Sequence, residues 1–334
     1  MASIEMSPFV FDGPAPPSDV VGRDDIIAAL WSRATGGRFV LLLAPRRFGK
    51  TSVVHRLRRD AQETKELAVV LVDLLGVQTV GDVVARFRAA WSDLSAGPLQ
   101  KAADKALRYL PEVTVGAGPL SVTARAPRDP EAATRSLEEW LRIPDRVAER
   151  LGRRVLVVLD EFQAVAAVPP VDAVIRSVIQ HQRERVSYLF AGSEQSLLDA
   201  LFSERAAPLY GQAERITLPG LGAEPLGEFI DTKFAATARA VDVAAMSGLL
   251  GLTAGHPQRA MLLAHHLWEA TTEGTSADHD TLVAAIDAAL SHSEPEFTAT
   301  MALLSDAQRK LLRLAAWGQP LYGAGAGRLR LTKG

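Results

Sequence analysis

The sequence predicts an α/β fold, with a mostly parallel sheet covered by helices and a purely helical part after it. Three observations carry this. Short, continuous apolar runs recur through the first two thirds of the chain, helical patterns lie between them, and beyond Pro219-Gly220 only helical periodicity remains. A run that is apolar at every position marks a strand buried on both faces. Alternation of such strands with helices calls for crossover connections, which lay the strands parallel.

Residues 7–20 carry Pro8, Pro14, Pro16 and Pro17 and read as an extended arm outside the core. Val21-Gly22-Arg23 leads from it into a short helix at 24–32. Residues 38–43 (RFVLLL) form the first strand, and 67–74, 154–159 and 186–191 the next three. Helices are expected over 52–63, 80–94, 132–151 and 171–185. Residues 112–126 break the rhythm by alternating apolar and polar positions around Gly-Ala-Gly-Pro, the pattern of an inserted β-hairpin. A short strand at 214–218 closes the sheet-forming part. Helices then follow over 226–240, 241–250, 258–272, 277–291 and 306–317. The chain thus divides into an arm (1–20), a sheet-forming core (21–220), a helical unit (221–304) and a terminal piece (305–334).

Composition narrows the function classes. With 48% apolar and 23% charged residues over 334 positions, the chain can fill about two cores at about 150 residues each. Zero cysteines exclude thiol nucleophiles, disulfides and cysteine-ligated metal sites, and suit a reducing cytoplasm. The balance of 37 basic against 39 acidic residues offers no overall cationic field for nucleic acid or membrane. No apolar run approaches the roughly 20 residues of a membrane span, and residues 1–10 lack the pattern of a signal peptide. Only seven of the 37 basic residues are lysine, so each lysine stands out.

One of them ends the sharpest motif. Ala44-Pro45-Arg46-Arg47-Phe48-Gly49-Lys50-Thr51 lies directly between the first strand and a helix. It reads as a phosphate-binding loop with alanine in place of the first glycine. In such a loop successive backbone N–H groups and a helix N-terminus converge on a β-phosphate. Gly49 permits close approach, Lys50 reaches the β- and γ-phosphates, and Thr51 supplies a hydroxyl for Mg²⁺. The bland alternative is an ordinary strand–turn–helix corner. Against it stands the strand Val155-Leu156-Val157-Val158-Leu159, which ends in Asp160-Glu161. Carboxylates at the carboxyl end of a parallel strand face the ligand crevice. Asp160 then serves Mg²⁺ and Glu161 polarises an attacking water. Read alone, the Asp-Glu pair is more often a polar loop start or helix N-cap, and its order after Lys50-Thr51 is what reverses that. No Asn-Lys-x-Asp segment suggests guanine, which favours ATP over GTP.

These residues resemble the archaeal-type ATPases within the STAND branch of AAA+ P-loop proteins. The resemblance rests on Ser7-Pro8-Phe9 with Val21-Gly22-Arg23, the loop from Pro45 to Thr51, Asp160-Glu161, Ala191-Gly192-Ser193, Pro208-Leu209-Tyr210-Gly211 and Gly255-His256-Pro257. It implies a P-loop NTPase core, a helical lid over 221–304 and then a winged-helix domain. It also implies a switch that exchanges and hydrolyses ATP to change conformation or assembly, with ATP or ADP and Mg²⁺ as cofactors. By the same resemblance Gly22, Arg23, His256 and Pro257 join Ala44, Pro45, Arg46, Arg47, Phe48, Gly49, Lys50, Thr51 and Ser52 around the nucleotide. Ser193 takes the position that reads the γ-phosphate, or else N-caps a helix at 195–202. Gly255-His256-Pro257 is also ordinary helix punctuation. Arg205 and Arg215 are candidates for an arginine finger to their own or a neighbour's nucleotide, although most of the 30 arginines are expected to be solvated surface groups.

Elsewhere the residues are less specific. Arg46 and Arg47 face phosphate, an acidic partner or water. The histidines make no metal constellation, since His265 and His266 are adjacent on a helix, point apart and lack a third ligand at i+4. Residues 305–334 open like a winged helix but stop before a recognition helix or wing, so DNA binding by this chain is doubtful. ATP is therefore the first expected partner, with a second copy or another protein next, DNA a weak candidate and no membrane. The competing class is a nucleotide-gated DNA or protein adaptor in which hydrolysis is incidental.

Overall fold

The computed structural model describes residues 6–95, 97–108, 110 and 129–318. The expected hairpin at 112–126 and the end of the expected winged helix, 319–334, lie outside them.

The chain enters through helix α1 (Asp24–Thr35) and strand β1 (Val40–Leu43), followed by α2 (Lys50–Thr64) and β2 (Leu67–Asp73). Three helices, α3 (Val80–Ser92), α4 (Pro98–Leu107) and α5 (Pro130–Leu151), separate β2 from β3 (Arg154–Asp160). Then come α6 (Val171–Ile179), β4 (Val186–Gly192), α7 (Gln195–Ser203) and β5 (Glu214–Thr217). The five strands form one sheet in the order β2-β3-β4-β1-β5, parallel throughout. The strand bearing the loop at residues 44–51 is therefore separated from the strand ending in Asp160 only by β4, whose last residues lie in register with the end of β1.

The apolar runs are continuous because the sheet is covered on both sides. Along β1, Leu41 and Leu43 enter one core while Val40 and Leu42 enter the other. Along β3, Val155, Val157 and Leu159 join the first, Leu156 and Val158 the second. The first core is walled by α3, α5 and α6 with fully buried Phe87, Trp91 and Trp140, and the second by α1 and α2 with Leu30, Val54 and Leu57. Ser187 carries a buried hydroxyl into the second core, where it donates to the Ala34 carbonyl at 2.6 Å.

Two local readings change. The helix expected over 171–185 ends at Ile179. Buried Gln182 stops it, donating to the Leu141 carbonyl at 2.8 Å while accepting from Tyr188 Oη at 2.7 Å. Helix α4 was not expected, because its buried face is made of small residues, Ala102, Ala103 and Ala106, with Leu107. Small side chains give a weak apolar period, yet they let this helix lie close against α5.

The helical part consists of α8 (Ala223–Ala235), α9 (Val243–Thr253), α10 (Pro257–Ala270), α11 (His279–Leu303) and α12 (Asp306–Ala316). A pair of two-residue parallel strands, β6 (Ala240–Val241) and β7 (Ser276–Ala277), ties its loops together and is too short to show a period in sequence. Helix α11 runs past the expected end at 291, through Pro295 to Leu303. Leu226, Ile230, Phe234, Leu249, Leu263 and Leu267 form a third core here. Phe9 of the arm belongs to it, only 3% exposed and packed against Phe229 and Phe234. The arm is thus not outside the core. Nor is the arm extended throughout, since Pro17–Asp19 form a 3-10 turn, while Phe9 carries one aromatic ring across to the helical part. Among the described residues no helix is long and apolar enough to cross a membrane.

Candidate functional site

The loop at 44–51 leaves the carboxyl end of β1 and turns into α2 at Lys50. Arg47 (φ 65°) and Gly49 (φ 85°) both take left-handed backbone, and no side chain caps the first turn of α2. The N–H groups that open an α-helix have no intrahelical acceptor. Here they point, with the positive end of the helix dipole, into a cavity of about 630 Å³. That volume is in the range of small-molecule sites.

Lys50 is nearly buried, its side chain 8% exposed, and its Nζ lies 3.4 Å from Glu161 Oε1. Thr51 Oγ1 donates to Asp160 Oδ2 at 3.4 Å. Asp160 ends β3 beside Asp73 of β2, in register with it. Burial pushes the Asp160 carboxyl above its ordinary pKa, and the Lys50 ammonium only partly offsets this. Glu161 follows in left-handed backbone (φ 51°), which swings its side chain back across the loop. Gln163 Nε2 donates a short hydrogen bond to Glu161 Oε2, and Ser193 Oγ donates to the same oxygen at 3.4 Å. Partial burial raises the Glu161 pKa, but the Gln163 hydrogen bond and the Lys50 charge outweigh it, so Glu161 is held below its usual value. Two adjacent acids therefore differ in character: one is buried and reluctant to ionise, the other is held ionised at the cavity wall.

The sequence-expected residues fall into three groups. Pro45, Arg46, Arg47, Phe48, Gly49, Lys50, Thr51, Ser52, Glu161, Ser193 and Pro257 line the cavity, with Ala44 and Asp160 directly behind. Ser193 does not cap α7, whose N-cap is Glu194 without a side-chain bond, and its hydroxyl goes to Glu161 instead. Gly22, Arg23 and His256 form a second layer. Arg23, 4% exposed, donates to the Phe48 carbonyl at 3.4 Å, and burial pushes its pKa down to about 10. Gly22 (φ +60°) packs on Pro225, so it bends the chain there rather than touching the cavity. The His256 ring stacks edge-on against Phe48, centroids 4.8 Å apart, and its Nδ1 accepts from the Arg259 N–H to cap α10. The third group lies elsewhere. Arg205 is exposed and outside the cavity lining, and Arg215 is engaged by Asp199 at 2.5 Å and by Ser203.

Several lining residues carry no motif. Phe11 and Asp12 come from the arm, and His292, Ser293 and Glu296 from α11. Ser52 Oγ accepts from the Ala15 N–H at 3.0 Å, fastening the arm to the loop. Arg47 Nη1 pairs with Glu296 Oε2 at 2.8 Å, joining the loop to the helical part, while Arg46 pairs with Glu194 at 3.4 Å. Both arginines are at the same time largely exposed to water. Gln163 was legible only as a polar residue two positions past Glu161.

No protein-family model matches this sequence, and no curated protein matches it. Solved structures do resemble the fold. A Walker-type ATPase of Pyrococcus abyssi aligns over 93% of this chain and 80% of its own, at 17% identity and a TM-score of 0.61. The ORC2 protein of Aeropyrum pernix, solved with ADPNP and ADP, aligns over 98% and 81%, at 16% identity and 0.58. The ORC1 protein of the same organism, solved with DNA, aligns over 88% and 71%, at 15% identity and 0.50. At these identities the likeness carries the fold alone: the chain shares the α/β fold of these ATPase and ORC structures, as the resemblance to archaeal-type ATPases implied.

Proposed function

We propose that this chain binds Mg-ATP, hydrolyses it slowly and uses the cycle as a STAND-type switch of conformation or assembly. One observation carries the reading. The uncapped first turn of α2, the Lys50 ammonium, and the Thr51–Asp160 and Glu161 pairs all converge on one cavity.

Backbone N–H groups of residues 47–51 would hold the β-phosphate, and Lys50 would turn from Glu161 to the γ-phosphate. Thr51 Oγ1 and Asp160 Oδ2, 3.4 Å apart, are hard oxygen donors close enough to share one Mg²⁺ with several waters. Bound there, Mg²⁺ would neutralise phosphate charge. Once Lys50 has moved, Glu161 is free to accept a proton from water, still oriented by Gln163 and Ser193. The Lys50–Glu161 pair thus keeps base and phosphate binder mutually occupied until nucleotide arrives. Arg205, exposed and outside its own cavity, suits an arginine finger given to a neighbouring copy. The three cores support the division into 21–220 and a lid over 221–304, with the arm bridging them.

The direct test is ATP binding by the purified chain and by Lys50→Ala. Equal affinity in the two refutes the site. A second reading, a nucleotide-gated DNA adaptor, draws on the ORC1 neighbour, which was solved with DNA. A gel shift with generic duplex at low salt, lost steeply as salt rises, would support it; no shift at low salt would end it.

A further inference from the structure

Neighbouring positions on a helix project about 100° apart, which is why His265 and His266 read as diverging. On α10 their rings turn toward one acid instead. His265 Nε2 lies 3.4 Å and His266 Nδ1 3.2 Å from the same oxygen, Glu269 Oε2. One ligand atom from each of these residues lies within 4.8 Å of both others. When zinc bonds are ~2.0–2.1 Å, tetrahedral ligand atoms stand ~3.3 Å apart. Two edges of the triangle are already close to that length, and the third is within 4.8 Å.

The surroundings suit a cation. Glu269 is half exposed, which leaves an entry path. The remaining ring atoms, His265 Nδ1 and His266 Nε2, are buried without hydrogen-bond partners. A further imidazole stands close by on α11: the His292 ring is 5.7 Å from that of His266, with Phe11 packed on both His265 and His292.

We propose that His265, His266 and Glu269 form a site for a divalent transition ion of zinc type, with water completing its shell and His292 at its edge. Two imidazoles and one carboxylate are a ligand set that zinc accepts. Phe11 and His292, which pack beside these rings, also line the large cavity. The proposal does not depend on ATP binding.

The experiment is equilibrium dialysis of the tag-free, chelator-treated full chain against ZnCl₂, with thermal melting in parallel. Wild type should hold one Zn²⁺ with micromolar affinity and melt higher in its presence. His266→Ala and Glu269→Gln should each weaken binding by roughly tenfold or more and abolish the melting shift. Lys50→Ala should bind zinc like wild type, which separates this site from the nucleotide reading. No stoichiometric zinc in wild type, or undiminished affinity in Glu269→Gln, overturns the proposal. Glu269 is exposed enough that its variant folds even where His266→Ala does not.

Discussion

Gln163→Leu should uncouple the chemistry of Glu161 from the stability of the fold. Gln163 is 7% exposed, donates through Nε2 to Glu161 Oε2, and leaves its own Oε1 buried without a partner. Leucine of similar volume loses a hydrogen bond to a charged group, about 1.5–3 kcal/mol, but also removes the orphaned carbonyl, which returns about 1–3 kcal/mol. The two offset, so the melting temperature should move by less than about 4 °C. Hydrolysis should suffer far more. A positioned general base contributes roughly 10²–10⁴-fold, and a carboxylate displaced by about 1 Å forfeits up to about 10²-fold. Phosphate release should therefore fall by about 10–100-fold in kcat, with ATP affinity unchanged. A kcat equal to wild type would refute the argument that Gln163 orients Glu161. Gly192→Ala is the companion variant. Its Cβ would overlap Gln163 Oε1 and stand 2.8 Å from Leu198 Cδ1. It should lose activity and also cost about 1–3 kcal/mol from overpacking.

Other expectations follow from the same site. Glu161→Gln should bind ATP as wild type does but lose hydrolysis, because it removes the base and keeps the side chain's shape; single-turnover assays decide, and lost binding would assign Glu161 to structure. Asp160→Asn should abolish Mg²⁺-dependent affinity yet raise the melting temperature at pH 7. A carboxyl whose folded-state pKa is raised destabilises the fold where it is ionised, and that cost begins to shrink as pH falls through the raised value and is gone below the ordinary carboxylate range. The stability gap between variant and wild type should therefore close on acidification, and a gap that widens would contradict the burial argument. Glu296→Gln breaks an ion pair whose partners are 51% and 57% exposed, so it should change stability by less than about 1 kcal/mol. It should nevertheless tighten ATP binding severalfold by freeing Arg47 and removing an acid from the cavity wall, an effect that shrinks with added salt. Trp140, fully buried in the first core, should cost about 3–5 kcal/mol as Trp140→Ala in chemical denaturation.

The strands, their parallel arrangement and the loop at 44–51 were legible because each is written locally. A strand covered on both faces must be apolar at every position, as Val155 to Leu159 are, and the candidate phosphate loop sets Gly49, Lys50 and Thr51 consecutively at a helix start. Asp160 and Glu161 were legible for the same reason, at the end of such a run. Helix α4 was not, because three alanines leave almost no apolar period. The boundary of α6 was not, because Gln182 ends it through bonds to Leu141, 41 positions away, and to Tyr188.

Sequence by itself determined the fold class and the residues that lead the candidate site, since periodicity and motif are properties of neighbours in the chain. Tertiary structure alone decided what surrounds them. It brought Glu296 to Arg47 across 249 positions, set Phe9 of a proline-rich arm in the helical core, and turned Gln163 and Ser193 onto one oxygen of Glu161. The physical reason is that a side chain's partner is chosen by packing and burial once distant segments meet. No local period records that choice.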